Sequence, residues 1–294
     1  MTYKPPMVFA LLVMVPLLLT AQSWPAKADS HQALSQVSGE LLTLTQQMTQ
    51  GVLLAALGVE KAETMERLTG QVQRFEQRLV DIQSGEGELK SADFWPDELA
   101  SRFERIEFLW GQYRAALDDA EESDQIVSGQ IEMVANLEDL LADSIRQFVE
   151  GATSSSDIAY HSLYLNTVRV ARQQAVLSQK LLKELLLVAN DHEVAENQRN
   201  LNESYSRLDR SFQALIHGDS ELQLIAPPTA DVERRWSEAR EIWLQFRSTI
   251  KEAARSGDVP DDQLPKVVGQ SQELLATMNS AIDAYRTRQS GARK

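Results

Sequence analysis

Two short polar stretches set inside apolar segments hold the residues best suited to chemistry. Thr45-Gln46 lies between Leu44 and Met48, and Ser178-Gln179 lies between Leu177 and Leu181. Amide and hydroxyl groups near a helical seam must find partners, and these are one another, water or a ligand. Arg169, Arg172 and Gln173 precede the second stretch on the same segment. Arginines that face a helical interior can hold an anion, whereas arginines on an outer face lay their stems along the surface. The candidate ligand residues are therefore Arg169, Arg172, Gln173, Ser178, Gln179, Thr45 and Gln46. Hydrogen bonding between helices of the fold itself is the alternative use of the same groups.

No arrangement for catalysis accompanies them. His31, His161, His192 and His217 stand apart from one another, without an HExxH motif or the convergent ligands of a metal site. A ferritin-like centre needs inward glutamates and Glu-x-x-His pairs, and none is expected here. The chain has no cysteine, which rules out a CxxCH haem site, disulfide staples and cysteine acylation. GxSxG, P-loop and dinucleotide fingerprints are missing too. The acids Asp118-Asp119-Ala120-Glu121-Glu122 form a run between helices and read as a solvated loop. The expectation is a non-enzyme without cofactor or metal.

The first residues and the charge bound the compartment and the partners. Lys4, the apolar run from Met7 to Leu19 and the pattern Ala26-Lys27-Ala28 before Asp29 have the layout of a cleaved signal peptide, residues 1–28. The expected location is the periplasm, with an uncleaved anchor as the alternative. The formal net charge is −14, and a surface of that sign repels phosphate backbones and anionic headgroups. Nucleic acid is not an expected partner.

The elements that must position the polar residues come from a repeat. Leu44-Thr45-Gln46 returns as Leu177-Ser178-Gln179, and the shift of 133 residues holds without a gap to Leu117 and Ile250. Leu53/Leu186, Leu54/Leu187, Arg74/Arg207, Gly85/Gly218, Arg102/Arg235, Trp110/Trp243 and Arg114/Arg247 are identical across it. An unbroken register means two copies of one folded unit. Stripes alternating by three and four, such as Leu68, Val72, Phe75, Leu79 and Ile82 with Leu201, Tyr205, Leu208, Phe212 and Leu215, predict amphipathic helices with the aromatic residues in the core. The spacing predicts helices over about 30–57, 60–84, 97–121, 125–150, 158–189, 192–217, 230–255 and 261–287. Pairing Val134, Leu137, Leu141 and Phe148 with Val268, Ser271, Leu275 and Ile282 places one extra residue before the last helix. The fold class is all-α, two tandem up-and-down four-helix bundles after a signal peptide, with bundles at 29–151 and 157–289. The expected arrangement of the two is end to end.

Residues 38–49 (SGELLTLTQQMT) and 171–180 (ARQQAVLSQK) resemble a known first-helix signature, approximately G-R-Q-R-M-L-S-Q-R-M. It is that of the periplasmic sensor domain at the N-terminus of type IV pilus methyl-accepting chemotaxis transducers, related to the sensor domain of nitrate/nitrite histidine kinases. The resemblance covers both copies. It implies a four-helix ligand-sensing bundle that signals through membrane helices. In the nitrate-sensing relatives arginines of this helix contact the anion. Here Glu40 and Leu42 stand at those two positions in copy one, while copy two has Gln173 and Ala175 there and Arg172 beside them, so nitrate is not the expected ligand. After Tyr285 the chain runs to Lys294 with no membrane helix, so a signal is expected to pass through a partner. The partners in view are a small anion or metabolite, an inner-membrane receptor or kinase, and a second copy of the chain. The rival reading is a structural or adaptor scaffold without a small ligand, which exposed apolar residues such as Val168 or Leu163 would favour.

Overall fold

The computed structural model describes the backbone of residues 24–85, 95–154 and 163–292, and the side chains of 36–85, 95–152 and 163–285. Eight helices are described, α1 Trp24–Ala56, α2 Lys61–Ser84, α3 Asp97–Glu122, α4 Ser128–Ser154, α5 Leu163–Ala189, α6 Val194–His217, α7 Ala230–Ser256 and α8 Leu264–Ala292, the last preceded by a 3-10 turn Asp261–Gln263. Among the described residues there is no strand, only one bridge between Asp219 and Leu224. Residues 1–23 of the expected signal peptide 1–28 and most of the inter-repeat stretch lie outside the described residues.

In each repeat the first helix packs on the second and the fourth, and the third on the fourth. All the stripe residues named above are buried except Leu137, which is partly buried against the repeat-one core. Phe75 stacks on Trp110 with ring centroids 4.3 Å apart, and Phe212 on Trp243 at 6.1 Å. The aromatic residues thus fill the centres of the two bundles, where they contribute the largest single burials.

Several identities across the repeat have a structural cause. Arg102 donates to Glu98 and to the Gln147 carbonyl, and Arg235 donates to Asp231 and to Ser280 at the matching places, so each arginine clamps the third helix to the fourth. Arg114 faces Glu76 at 4.0 Å and Arg247 faces Asp209 at 3.5 Å, tying the third helix to the second. Gly85 and Gly218 both have positive φ, 71° and 77°, where a side chain would be strained. At Gly218 an added Cβ would also lie 2.9 Å from the Ala226 nitrogen. The turn between the first two helices is built twice in the same way: Gly58 and Asp191 are left-handed (φ 72° and 55°), as are Glu60 and Glu193 (φ 44° and 42°). Asp191 is therefore the left-handed turn residue equivalent to Gly58. The Asn190 amide beside it donates to the Leu186 carbonyl at 2.8 Å.

The register of 133 extends through the fourth helices, contrary to the expected insertion. Val134 and Val267, Glu138 and Ser271, Leu141 and Leu274, and Ile145 and Met278 are buried at equivalent places. Val267-Val268 and Leu274-Leu275 are apolar doublets, so periodicity alone fitted either register, and only the buried polar positions decide.

The bundles lie side by side, not end to end. α1 packs along α5, and the helices run parallel, because Gln50 donates to the Gln179 carbonyl at 2.8 Å while Asn190, further along, donates to Leu53 at 3.2 Å. Leu53 and Leu54 of α1, with Ile131 and Ala135 of α4, belong to the same core as Leu186 and Leu187 of α5 and the interior of repeat two. An oily edge on α1 that repeat one leaves uncovered is thus buried by its own duplicate, which accounts for the identity of Leu53/Leu186 and Leu54/Leu187.

Candidate functional site

The parallel α1/α5 pair organises the polar residues into three places. The first is a cavity of about 590 Å³ between the repeats, walled by α1, α2, α5 and α8. Its charged lining is Arg74, Arg78, Arg172, Glu40 and Asp283. Three cations against two anions is an excess of positive charge, on a chain whose balance is −14. Glu40 is committed to Arg78 at 2.8 Å. Arg74 donates only to the carbonyl of Gly70, at 3.2 Å, and has no carboxylate partner among the described residues. Arg74 therefore brings an unneutralised guanidinium to the cavity, with donors that suit a carboxylate or another planar anion.

The second place is a buried network on the far side of α1. Glu138 of α4, fully buried, accepts from Lys183 Nζ at 2.5 Å, Gln46 Nε2 at 2.7 Å and Thr45 Oγ1 at 3.1 Å. Lys183, on α5 and almost as buried, also reaches Asp139 at 2.8 Å. The network joins both repeats. Burial pushes the Glu138 carboxyl above the usual range, against the pull of Lys183. Burial also opposes the charge on Lys183, but Glu138 and Asp139 together raise its pKa. Asp139 is moved up by partial burial and down further by Lys183, so that it ends below the usual carboxylate range. Tyr113, whose pKa burial and Glu138 raise, donates to the Thr45 carbonyl at 3.2 Å and pairs with Thr49 at 2.8 Å.

The third place is the equivalent of that network in repeat two, and it is neutral. Ser178 donates to Ala175, and Gln179 Nε2 reaches Ser271 Oγ at 3.4 Å. Gln50 stands where Lys183 does, and Ser271 where Glu138 does. One turn from it, Glu184 is buried with one oxygen accepting from Ser204 at 3.2 Å and the other without a partner. Burial raises its carboxyl above the usual range, with Lys180 and Ser204 resisting. A carboxyl with a raised folded pKa lends stability below its ordinary value and loses it as pH rises through the folded one. Glu184→Gln is accordingly expected to be more stable than the parent at neutral pH and to lose less stability between pH 4 and pH 7, as followed by urea unfolding at several pH values. A parent-like slope would mean that Glu184 stays solvated.

The candidate residues are thus divided. Arg172 lines the cavity. Thr45 and Gln46 belong to the charged network, Ser178 and Gln179 to its neutral equivalent. Gln173 is exposed. Arg169 donates to Asn166, whose amide holds the carbonyls of Leu222 and Gln223, so this arginine braces the loop after α6. Arg74, Arg78, Glu138 and Lys183 were not among the candidates. For Lys183 and Glu184 a signal existed: they are the only charges in the apolar run 181–188. Glu138 gave none, since it sits one residue from Leu137 on a stripe that reads equally well without it. Val168 is buried and Leu163 is 51 % exposed. Among the described residues no group of three or more His, Asp or Glu could hold a metal ion, and no helix is long and apolar enough to cross a membrane.

Fold and cavity together define the class: a duplicated four-helix bundle whose two first helices pair in parallel beside a polar inter-repeat cavity. Comparison with protein families supplies the particular one. The chain matches the family of type IV pili methyl-accepting chemotaxis transducer N-terminal domains (PilJ) over residues 23–133 and again over 167–267, and it belongs to that family. Comparison with curated proteins and with solved structures finds no match. Membership gives the chain a sensory and signalling role.

Proposed function

We propose that the chain is a non-enzymatic periplasmic sensor that takes a small anion or carboxylate-bearing metabolite in the cavity between its repeats and docks on a membrane receptor or kinase. Domain boundaries at 29–151 and 157–289, after a cleaved segment 1–28, go with this reading. The observation that carries it is the cavity itself, an arginine-rich space in an acidic protein, with Arg74 lacking a carboxylate partner. An anion is held by cations with hydrogen-bonding geometry, and the exposed Arg74 and half-buried Arg172 guanidinium groups provide both. Because the walls come from both repeats, an occupant would touch α1 and α5 together and so bias how they pack. Candidate contacts are Arg74 and Arg172.

The test is a thermal-shift screen of the mature chain against small carboxylates, amino acids and inorganic anions including nitrate, followed by calorimetry on whatever stabilises it. Arg74→Ala and Arg172→Ala are each expected to weaken binding at least tenfold, roughly the 1.5–3 kcal/mol of a charged hydrogen bond. Thr45→Val, in the network and outside the cavity, is expected to leave affinity within about threefold. If both arginine variants bind as the parent does, the cavity is not the site. The tandem pairing also favours a monomer, since the first helix of each repeat is already covered by the other. Sedimentation of the mature chain at the mass of one chain, below the 33.0 kDa of all 294 residues, would agree with that.

A further inference from the structure

The outer face of α3 and α4 in repeat one carries an apolar strip that the bundle does not need. Arg102 reaches the Gln147 carbonyl and Arg105 reaches Ser144, which sets the antiparallel register of these two helices. Phe108, one turn past Arg105, is therefore level with Leu140, one turn before Ser144. Met133 lies two turns from Leu140 on the same face. These side chains are 66 % (Phe108), 47 % (Leu140) and 55 % (Met133) exposed. Exposed acids run along both sides, Glu104 and Glu107 on α3 and Glu132, Asp139 and Asp143 on α4, the last two already paired with Lys183 and Arg146.

Repeat two serves as an internal comparison. At a shift of 133 it has Glu241, Lys266 and Glu273 in place of the strip, and Ser237, Arg240, Pro265, Gln272 and Ala276 in place of the acids. The two repeats build the same bundle with the same register, so the packing of α3 on α4 requires neither feature. An apolar strip edged by charge, present in one copy and replaced in the other, is a surface kept for contact.

We infer that this α3/α4 face docks an amphipathic helix of a partner protein, with an apolar stripe bordered by Lys and Arg. The inference rests on the docking half of the proposed function and names its surface. A helix laid along the strip would seat side chains spaced by three and four residues against Phe108, Leu140 and Met133, with its cations meeting the acids on each side. A second copy is disfavoured because an isologous contact would set acidic borders against each other on chains of charge −14. Anionic lipid is repelled by the same borders.

The experiment uses the mature chain and a fluorescent synthetic helix of about 18 residues, Leu on one stripe and Lys and Arg beside it, with a counterpart in which Glu replaces the cations. The basic peptide is expected to bind at least tenfold more tightly than the acidic one. The variant Phe108→Glu/Met133→Lys/Leu140→Glu, which copies repeat two, is expected to lose at least tenfold of that affinity with its thermal midpoint unchanged, because the three positions are exposed. Equal binding of both peptides, or undiminished binding by the variant, overturns the inference. So does a dimer in sedimentation, or flotation with phosphatidylglycerol vesicles, that the variant abolishes. Thermal shifts by small carboxylates, read on the parent chain, separate the two readings: a shift with no peptide bound removes the docking face alone, and peptide bound with no shift removes the cavity alone.

Discussion

Lys183→Ala is expected to destabilise the chain by about 3–5 kcal/mol, the usual cost of leaving a buried charge without its partner. Glu138 would keep only Gln46 and Thr45 as donors, in a position with no exposure to water. Glu138→Ala is expected to cost a similar amount, because Lys183 would retain only the largely exposed Asp139. The chain itself contains a neutral version of the site, with Gln50 and Ser271 at the equivalent positions. The double variant Glu138→Ser/Lys183→Gln copies that version and is expected to be more stable than either Glu138→Ser or Lys183→Gln alone, a coupling that the double-mutant cycle of these three variants measures directly. The pH dependence follows the same contacts. The lowered Asp139 carboxyl contributes stability above the ordinary carboxylate value and loses it as pH falls through the folded one. Without Lys183 that contribution should vanish from urea midpoints measured between pH 3 and pH 5. Single variants within about 1 kcal/mol of the parent, or a double variant equal to the sum of the two, would mean that the pair is not closed in solution.

The difference between these two sites explains how much of the molecule was legible in the sequence. Helix identity, order and core stripes were readable because each depends on local periodicity, and residues such as Phe75, Trp110, Phe212 and Trp243 repeat it twice. The family was readable from the first helix. The side-by-side arrangement was not, since Leu53, Leu54, Leu186 and Leu187 look like ordinary core residues until it is known that they face outward from their own bundles. The same holds for the site. Gln46 and Gln179 were visible as polar groups in apolar helices, but their partners Glu138 and Ser271 lie 92 residues away on another helix. Arg74 was noticed only as a retained identity. Its place in the cavity depends on α2 facing α5 and α8 of the other repeat across that space, which no pattern within one helix announces.

Trp243→Ala is expected to cost about 3–5 kcal/mol, the range for removing a large aromatic from a packed core, and to lower the thermal midpoint by the order of 10 °C. Trp243 is almost fully buried, lies within 6.1 Å (ring centroids) of Tyr205, Phe212 and Phe246, and donates its indole N–H to Asp209 at 2.9 Å. The more informative result concerns repeat one. If the bundles were separate units, a cavity in repeat two would leave the unfolding of repeat one where it was. Because Leu53 and Leu54 of α1 and Ile131 and Ala135 of α4 are part of the repeat-two core, collapse of that core strips apolar cover from two helices of repeat one. Lys183 would leave Glu138 at the same moment. The two repeats are therefore expected to unfold in one transition, with the midpoint of repeat one falling together with that of repeat two. Hydrogen exchange resolved to peptides from α3, remote from the substitution, reports on it: the amides around Trp110 should lose protection in parallel with those around Phe246. Protection of α3 that stays at the parent level while α7 exchanges freely would show two independent bundles and would remove the physical basis for communication between them.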